Sequence, residues 1–339
     1  MEQIDFVVTW VDGADEAWRR EKAKYSQTAK HDQKTADDDR RERYRDWELL
    51  RYWFRGVERY APWVRKIFFI TWGHLPAWLD AENPKLQIVR HGDYIPEEYL
   101  PTFNSNVLEI YLHKIRGLSE HFVYFNDDMF LLDRVAPEDF FRAGKPCDML
   151  ALQAVVANPS NPVMSYLYLN NSMVLSRHFD KRQNMKSRPG SYFHIGYPPT
   201  RFWYNVLERA FPLYTGFYTV HGPSPFCKRT FQEVWDQEGG VLRAMSGNRF
   251  RSGSDVTQYL FREWQKLSGN FQPRNLQRDF GYFEIGEDNR KLLKTIRTQK
   301  RRIVCINDTW HEGDFQSVKA QLQGAFEQIF PTPSGFERR

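Results

Sequence analysis

Three polar residues, Asn126, Asp127 and Asp128, interrupt an otherwise apolar run over residues 122–132. Burying Phe122, Val123, Tyr124 and Phe125 as a strand leaves two adjacent carboxylates at its end. Such carboxylates repel, and apolar surroundings raise the cost of ionising them unless a cation, a hydrogen-bond donor or water compensates. A divalent cation answers that problem, and oxygen ligands of this kind suit Mg²⁺ or Mn²⁺, which keep several waters and also bind substrate phosphate. The plainer alternative is an Asn-Asp turn with a solvated tip. A second apolar run, Ile303 to Ile306, ends in Asn307 and Asp308 and so repeats the pattern. A metal needs ligands converging from separate elements, which makes Asp127, Asp128, Asn307 and Asp308 the candidate metal set.

Other residues could serve the same centre. Glu109 and His113 stand one turn apart in a helix predicted over residues 107–118, a spacing that presents an acid and an imidazole to one cavity or forms a solvated pair. His221, in Val220-His221-Gly222-Pro223, ends a predicted strand. Its ordinary pKa near working pH suits a general base, although histidines at such ends also serve as local hydrogen-bonding groups. Arg251 precedes Ser252-Gly253-Ser254-Asp255 and a predicted helix through Trp264, capped by Ser254 or Asp255; exposed amides beside arginines make an anion site. Thr9, Trp10, Asp12 and Gly13 close the first predicted strand in the manner of a nucleotide-binding α/β domain. The six basic residues of 291–302 are either a phosphate or acidic-polymer track or a solvated helix face.

The elements that must position these groups alternate. Strands are expected at 4–10, 65–71, 86–89 and 303–308, with a helix at 46–60 stopped by Ala61-Pro62 and a final one at 315–330 that aligns Val318, Leu322, Phe326 and Ile329. Residues 14–45 read as a charged surface loop or a flap that orders on substrate, 149–175 as polar-interrupted strand, and 176–190 as a basic loop. Alternating strands and helices imply an α/β sheet with parallel pairings, and ligands then sit at the carboxyl ends of its strands. A boundary at 143–146 divides a nucleotide-sugar half, 1–145, from an acceptor-side half, 146–339, that completes the same catalytic domain.

The 339 residues suffice for a substantial core, and 16% aromatic content offers stacking surfaces for sugars or bases. An excess of 48 basic over 43 acidic residues gives +5, which attracts phosphates without implying nucleic acid. Three widely spaced cysteines suggest neither a disulfide framework nor a zinc site, and fit a reducing compartment. With no signal-like start and no stretch approaching a membrane span, a cytoplasmic protein is expected.

Taken together, the blocks at 4–13, 50–67, 100–132 and 306–310 resemble the Stealth family, sugar-1-phosphate transferases that include bacterial capsular polysaccharide phosphotransferases. The resemblance implies a glycosyltransferase-A-like nucleotide-binding sheet flanked by helices, with helical insertions. It implies transfer of a sugar-1-phosphate from a UDP-sugar, of hexose or N-acetylhexosamine type, to an oligo- or polysaccharide hydroxyl, with release of UMP and Mg²⁺ or Mn²⁺ as cofactor. Asp127 and Asp128 match the family's acidic pair, Glu109 an acid in the preceding helix, His221 a candidate base, Arg251 an arginine, and Asn307-Asp308 the closing pair. Where the family has an acid before Asp255, this chain has Ser254. A capsule-building role, with peripheral association to a membrane assembly complex, follows from the same resemblance. The rivals are a metal-dependent glycosyltransferase that releases UDP, a Mg²⁺-dependent nuclease, and a sugar-binding module without catalysis.

Overall fold

The computed structural model describes residues 3–28, 45–159, 161–308 and 314–338. In chain order, the first half places β1 (Ile4–Thr9), α1 (Glu16–Thr28), α2 (Leu50–Tyr60), β2 (Ile67–Thr71), β3 (Leu86–Arg90) and α3 (Ser105–Ile110). There follow β4 (His121–Asn126), β5 (Met129–Leu131), α4 (Pro137–Phe140), β6 (Phe141–Arg142) and β7 (Lys145–Asp148). The second half adds α5 (Pro162–His178), α6 (Lys181–Ser187), α7 (Pro189–Tyr192), α8 (Pro199–Glu208), β8 (Ser224–Cys227) and α9 (Lys228–Ser246). It closes with α10 (Gln258–Leu267), β9 (Gln272–Pro273), β10 (Phe280–Glu284), α11 (Arg290–Arg297), β11 (Ile303–Asn307) and α12 (Phe315–Ile329).

The main sheet has the order β3-β2-β1-β4-β8, parallel except at β8. Its inner strands are buried on both faces and mainly apolar, with Asp5 of β1 paired to Arg65. Alternation along β1 sends Phe6 and Val8 into one core, with α2 and α12, and Val7 into the other, with α3, α9 and α10. The expected α/β class with parallel pairings is what forms.

Two smaller sheets knit the halves together. β11 pairs antiparallel with β5, and the order β10-β11-β5 carries the second Asn-Asp strand to the tip of β4. Residues 143–144 form the turn of the β6–β7 hairpin and 145–146 begin β7, which pairs in turn with β9.

Several elements differ from expectation. Part of the charged segment 14–45 is α1; the remainder, residues 29–44, lies outside the described residues. The stretch expected as interrupted strand is largely α5, capped by Asn161 whose side chain accepts from the Met164 amide. Its apolar residues fall on more than one side, with Leu167 and Val174 buried and Leu169 and Met173 exposed, which blurs the helical period. The basic loop at 176–190 contains α6, and α2 starts at Leu50 rather than 46. The helix over 107–118 is instead α3 followed by a 3₁₀ turn at Leu112–Lys114, which turns His113 away from Glu109. His113 packs against Phe231 and Trp235, so the pair is neither solvated nor shared by one cavity. Before His221 there is an isolated bridge between Leu152 and Phe217 rather than a strand. The basic residues of α11 lie outward from buried Leu292, Leu293 and Ile296. Among the described residues no helix is long and apolar enough to cross a membrane.

Candidate active site

A cleft of about 1060 Å³ opens at the carboxyl ends of β1 and β4. Thr9 pairs with Asn126 in the sheet, so the tip of β4 delivers Asp127 and Asp128 just beyond the strand end. The amide of Ile306 donates to the Asp128 carbonyl at 2.9 Å, which locks the end of β11 to the same point. All four residues of the two Asn-Asp endings that were expected as ligands, Asp127, Asp128, Asn307 and Asp308, line this cleft together with His221, Arg251 and Glu109.

The carboxylates differ in their surroundings. Asp127 is exposed to the cleft, yet the surrounding protein strips bulk hydration from it, and with the Asp128 charge this pushes its pKa up to about 7. Asp128 takes a contact from the Cys305 thiol at 3.2 Å on Oδ2, and His221 Nε2 stands 3.8 Å from the same oxygen. Among the described residues its buried Oδ1 has no hydrogen-bond partner. Donor atoms of Asp128, His221 and Cys305 lie within 4.8 Å of one another, a constellation able to hold a cation. Cys305 was missed in the sequence, although strand alternation puts it on the same side as Asn307.

Asp308 is engaged elsewhere. Arg45 grips both its oxygens at 2.6 and 2.7 Å, and Trp47 Nε1 donates at 2.8 Å. Asn307 donates to Tyr282 Oη at 2.8 Å. The second Asn-Asp ending therefore converges on the cleft, with its side chains bonded to the cleft wall.

Glu109 is buried on the cleft floor, where Tyr124 Oη donates at 3.3 Å and the Gln258 amide at 3.4 Å. Burial raises its pKa against the pull of nearby Arg251, these two hydrogen bonds and His221. Tyr124 also bonds Thr9 Oγ1, joining β1, β4 and α3 beneath the site. His221 Nδ1 is 2.7 Å from Tyr259 Oη, and Tyr282 meets the imidazole edge-on. Arg251 donates to Ser105 Oγ at 2.7 Å.

The loop carrying Arg251 is built on Asp255. That buried carboxylate accepts from the side chains of Asn104, Asn106 and Asn248 and from the Ser252 amide. Neither Ser254 nor Asp255 caps α10; Thr257 does, accepting from the Tyr259 amide. Of the expected nucleotide contacts, Thr9 and Trp10 line the cleft. Asp12 and Gly13 do not: the Asp12 amide donates to His74 and its carboxylate caps Ala14.

Models of Stealth protein conserved regions 1, 2 and 4 match residues 2–28, 43–148 and 294–339. The capsular polysaccharide phosphotransferase WcwK of Streptococcus pneumoniae is 39% identical over 100% of this chain and 99% of its own. The chain belongs to the Stealth family. The receptor polysaccharide phosphotransferase WefC of Streptococcus oralis is 37% identical over 99% of this chain and 100% of its own. The exopolysaccharide phosphotransferase cps2G of Lactiplantibacillus plantarum is likewise 37% identical, over 99% and 96%. This Stealth protein is a phosphotransferase. Mouse xyloside xylosyltransferase 1 in its apo form overlays 90% of this chain and 98% of its own at 9% identity with a TM-score of 0.35, too loosely to transfer any residue.

Proposed function

We propose that this protein transfers a sugar-1-phosphate from a UDP-sugar to a hydroxyl of a glycan acceptor, releasing UMP and forming a phosphodiester in capsular or cell-surface polysaccharide synthesis. The acceptor oxygen bonds to the phosphorus nearest the donor sugar, the bond from that phosphorus to UMP breaks, and the anomeric bond stays intact. Positioning and charge neutralisation dominate phosphoryl transfer, so the chain must hold a diphosphate, stabilise its equatorial charge and take one proton.

Asp127 and Asp128 would hold Mg²⁺ or Mn²⁺, which neutralises diphosphate charge when bound. The residues fit such an ion, because the orphaned, buried Oδ1 of Asp128 lacks the partner that a buried carboxylate oxygen requires. Cys305 suits the role of a donor that orients this carboxylate, since sulfur is a softer ligand than these ions prefer. Arg251, steadied by Ser105, would meet the transferred phosphoryl group. In the tautomer that carries its proton on Nδ1, His221 bonds Tyr259 Oη through that N–H, and its Nε2, on the side of the acidic pair, can accept the hydroxyl proton.

One observation carries the reading: the ends of β4 and β11, distant in sequence, meet in one cleft with His221 and Arg251. Incubation with a panel of sugar nucleotides and oligosaccharide acceptors, followed by identification of the released nucleotide, tests it. UMP is expected. Release of UDP would show cleavage of the anomeric bond and replace the proposal with an ordinary glycosyl transfer.

A further inference from the structure

The helix α8 is inverted relative to an ordinary surface helix, whose apolar stripe faces the core. Its inward residues are polar. Asn205 is fully buried and bonds the Leu152 amide and the Leu150 and Tyr192 carbonyls, while buried Glu208 takes Lys181 and Thr215. Outward stand Trp203 and Leu207, one helical turn apart, with Phe211 just beyond the helix end, and among the described residues they are 62%, 67% and 52% exposed. Ile195 and Leu213 flank them, at 96% and 66%. A cluster of large apolar side chains held outward by a buried polar scaffold marks an interaction face.

Charge says what kind. Within residues 177–213, Lys181 is buried against Glu208 and Arg177 pairs with Glu238, while Arg182, Lys186 and Arg209 stand exposed. Lys181 lies 5.9 Å over the Phe211 ring, so α6 with its exposed Arg182 and Lys186 runs beside the patch. Sugars stack on flat aromatic faces, which Leu207, Leu213 and Ile195 do not offer. Aromatic and aliphatic side chains that enter an interfacial layer, flanked by cations that meet phosphate headgroups, are the chemistry of peripheral membrane binding.

We propose that the outward face of α8, with α6, docks on an anionic lipid surface. The arrangement also orients the enzyme. Arg201 of α8 stacks 3.2 Å over Tyr218, which lines the cleft, so docking brings that wall of the cleft toward the membrane.

Co-sedimentation with vesicles tests this without reference to the transfer reaction. The full chain is expected to pellet with phosphatidylglycerol–phosphatidylcholine vesicles, and far less with phosphatidylcholine alone or at high salt. A Trp203→Ser, Leu207→Ser double variant, altered only at exposed positions, should bind anionic vesicles at least tenfold more weakly with an unchanged melting temperature, as should Arg182→Glu, Lys186→Glu. Failure of the unaltered protein to pellet, or undiminished binding by both variants, overturns the proposal. So does a dimer that the serine variant converts to a monomer, which would make the patch a surface for a second copy.

Discussion

Asp128 has one carboxylate oxygen set between the Cys305 thiol and the His221 imidazole and the other buried without a partner among the described residues. A neutral amide there keeps the shape and removes the charge. Asp128→Asn should therefore lower turnover on the order of a hundredfold, about 3 kcal/mol of transition-state stabilisation, with the circular dichroism spectrum and melting temperature retained. Wild-type rates in that variant would remove Asp128 from the machinery. Asp127 and Asp128 stood out in the sequence because, with Asn126, they close an apolar strand, and the structure sets them at the cleft. Asp308 looked equivalent, but its role depends on Arg45 and Trp47, more than 260 positions away in the chain. Tyr124 and Tyr259 were hidden for the opposite reason: a tyrosine in an apolar run reads as core until its hydroxyl is seen to reach Glu109 or His221.

Elements were readable where the apolar pattern is simple and obscure where burial is polar or mixed. The inner strands declared themselves as continuous apolar runs and α12 by its helical period, whereas α5 mixes apolar residues inside and out and α8 turns them outward. What holds α2 against the tip of β5 is likewise invisible in pattern. A Cβ on Gly56 would sit 2.8 Å from the Leu131 carbonyl oxygen, so glycine lets the helix approach the strand next to the acidic pair. Two effects compete in Gly56→Ala. Helix propensity gains about 1 kcal/mol, while overpacking against an immobile backbone costs about 1–3 kcal/mol and displaces the strand. Net destabilisation is expected, of about 1 kcal/mol and at most about 2 in urea titration, together with reduced turnover. A stabilised variant of full activity would mean that α2 and β5 do not pack this closely.

At the scale of the molecule the two halves are interlaced, which a boundary drawn from loop composition does not reveal. The core on one face of the main sheet runs from Val7 to Phe271, and the fully buried Arg262 of α10 pairs bidentately with Asp148 of β7. Anything that loosens this core should act on the whole fold, and pH is the direct probe. His113 is buried in it, and burial pushes its pKa down to about 3, assisted by Lys114 and Lys228. A depressed histidine pKa means that the native state refuses a proton which the unfolded chain accepts below about 6.5. Stability is then undiminished above that pH and falls as the pH drops toward 3; at pH 5 the loss is about 2 kcal/mol. Asp148 acts later. Burial opposes its ionisation, but Arg262 and Lys266 overcome that and hold its pKa below the usual range, so its contribution is complete above about pH 4 and is lost only in stronger acid. Urea unfolding at pH 7.5 and pH 5 should therefore separate the two groups. His113→Phe, which keeps a ring against Phe231 and Trp235, should relieve about 2 kcal/mol of the loss at pH 5 and leave the contributions of His91, of the same sign, and of Asp127, of opposite sign. An unchanged pH 7.5-to-5 difference in that variant would place the responsible proton elsewhere, with His91, pushed down to about 4 by burial, the next residue to replace.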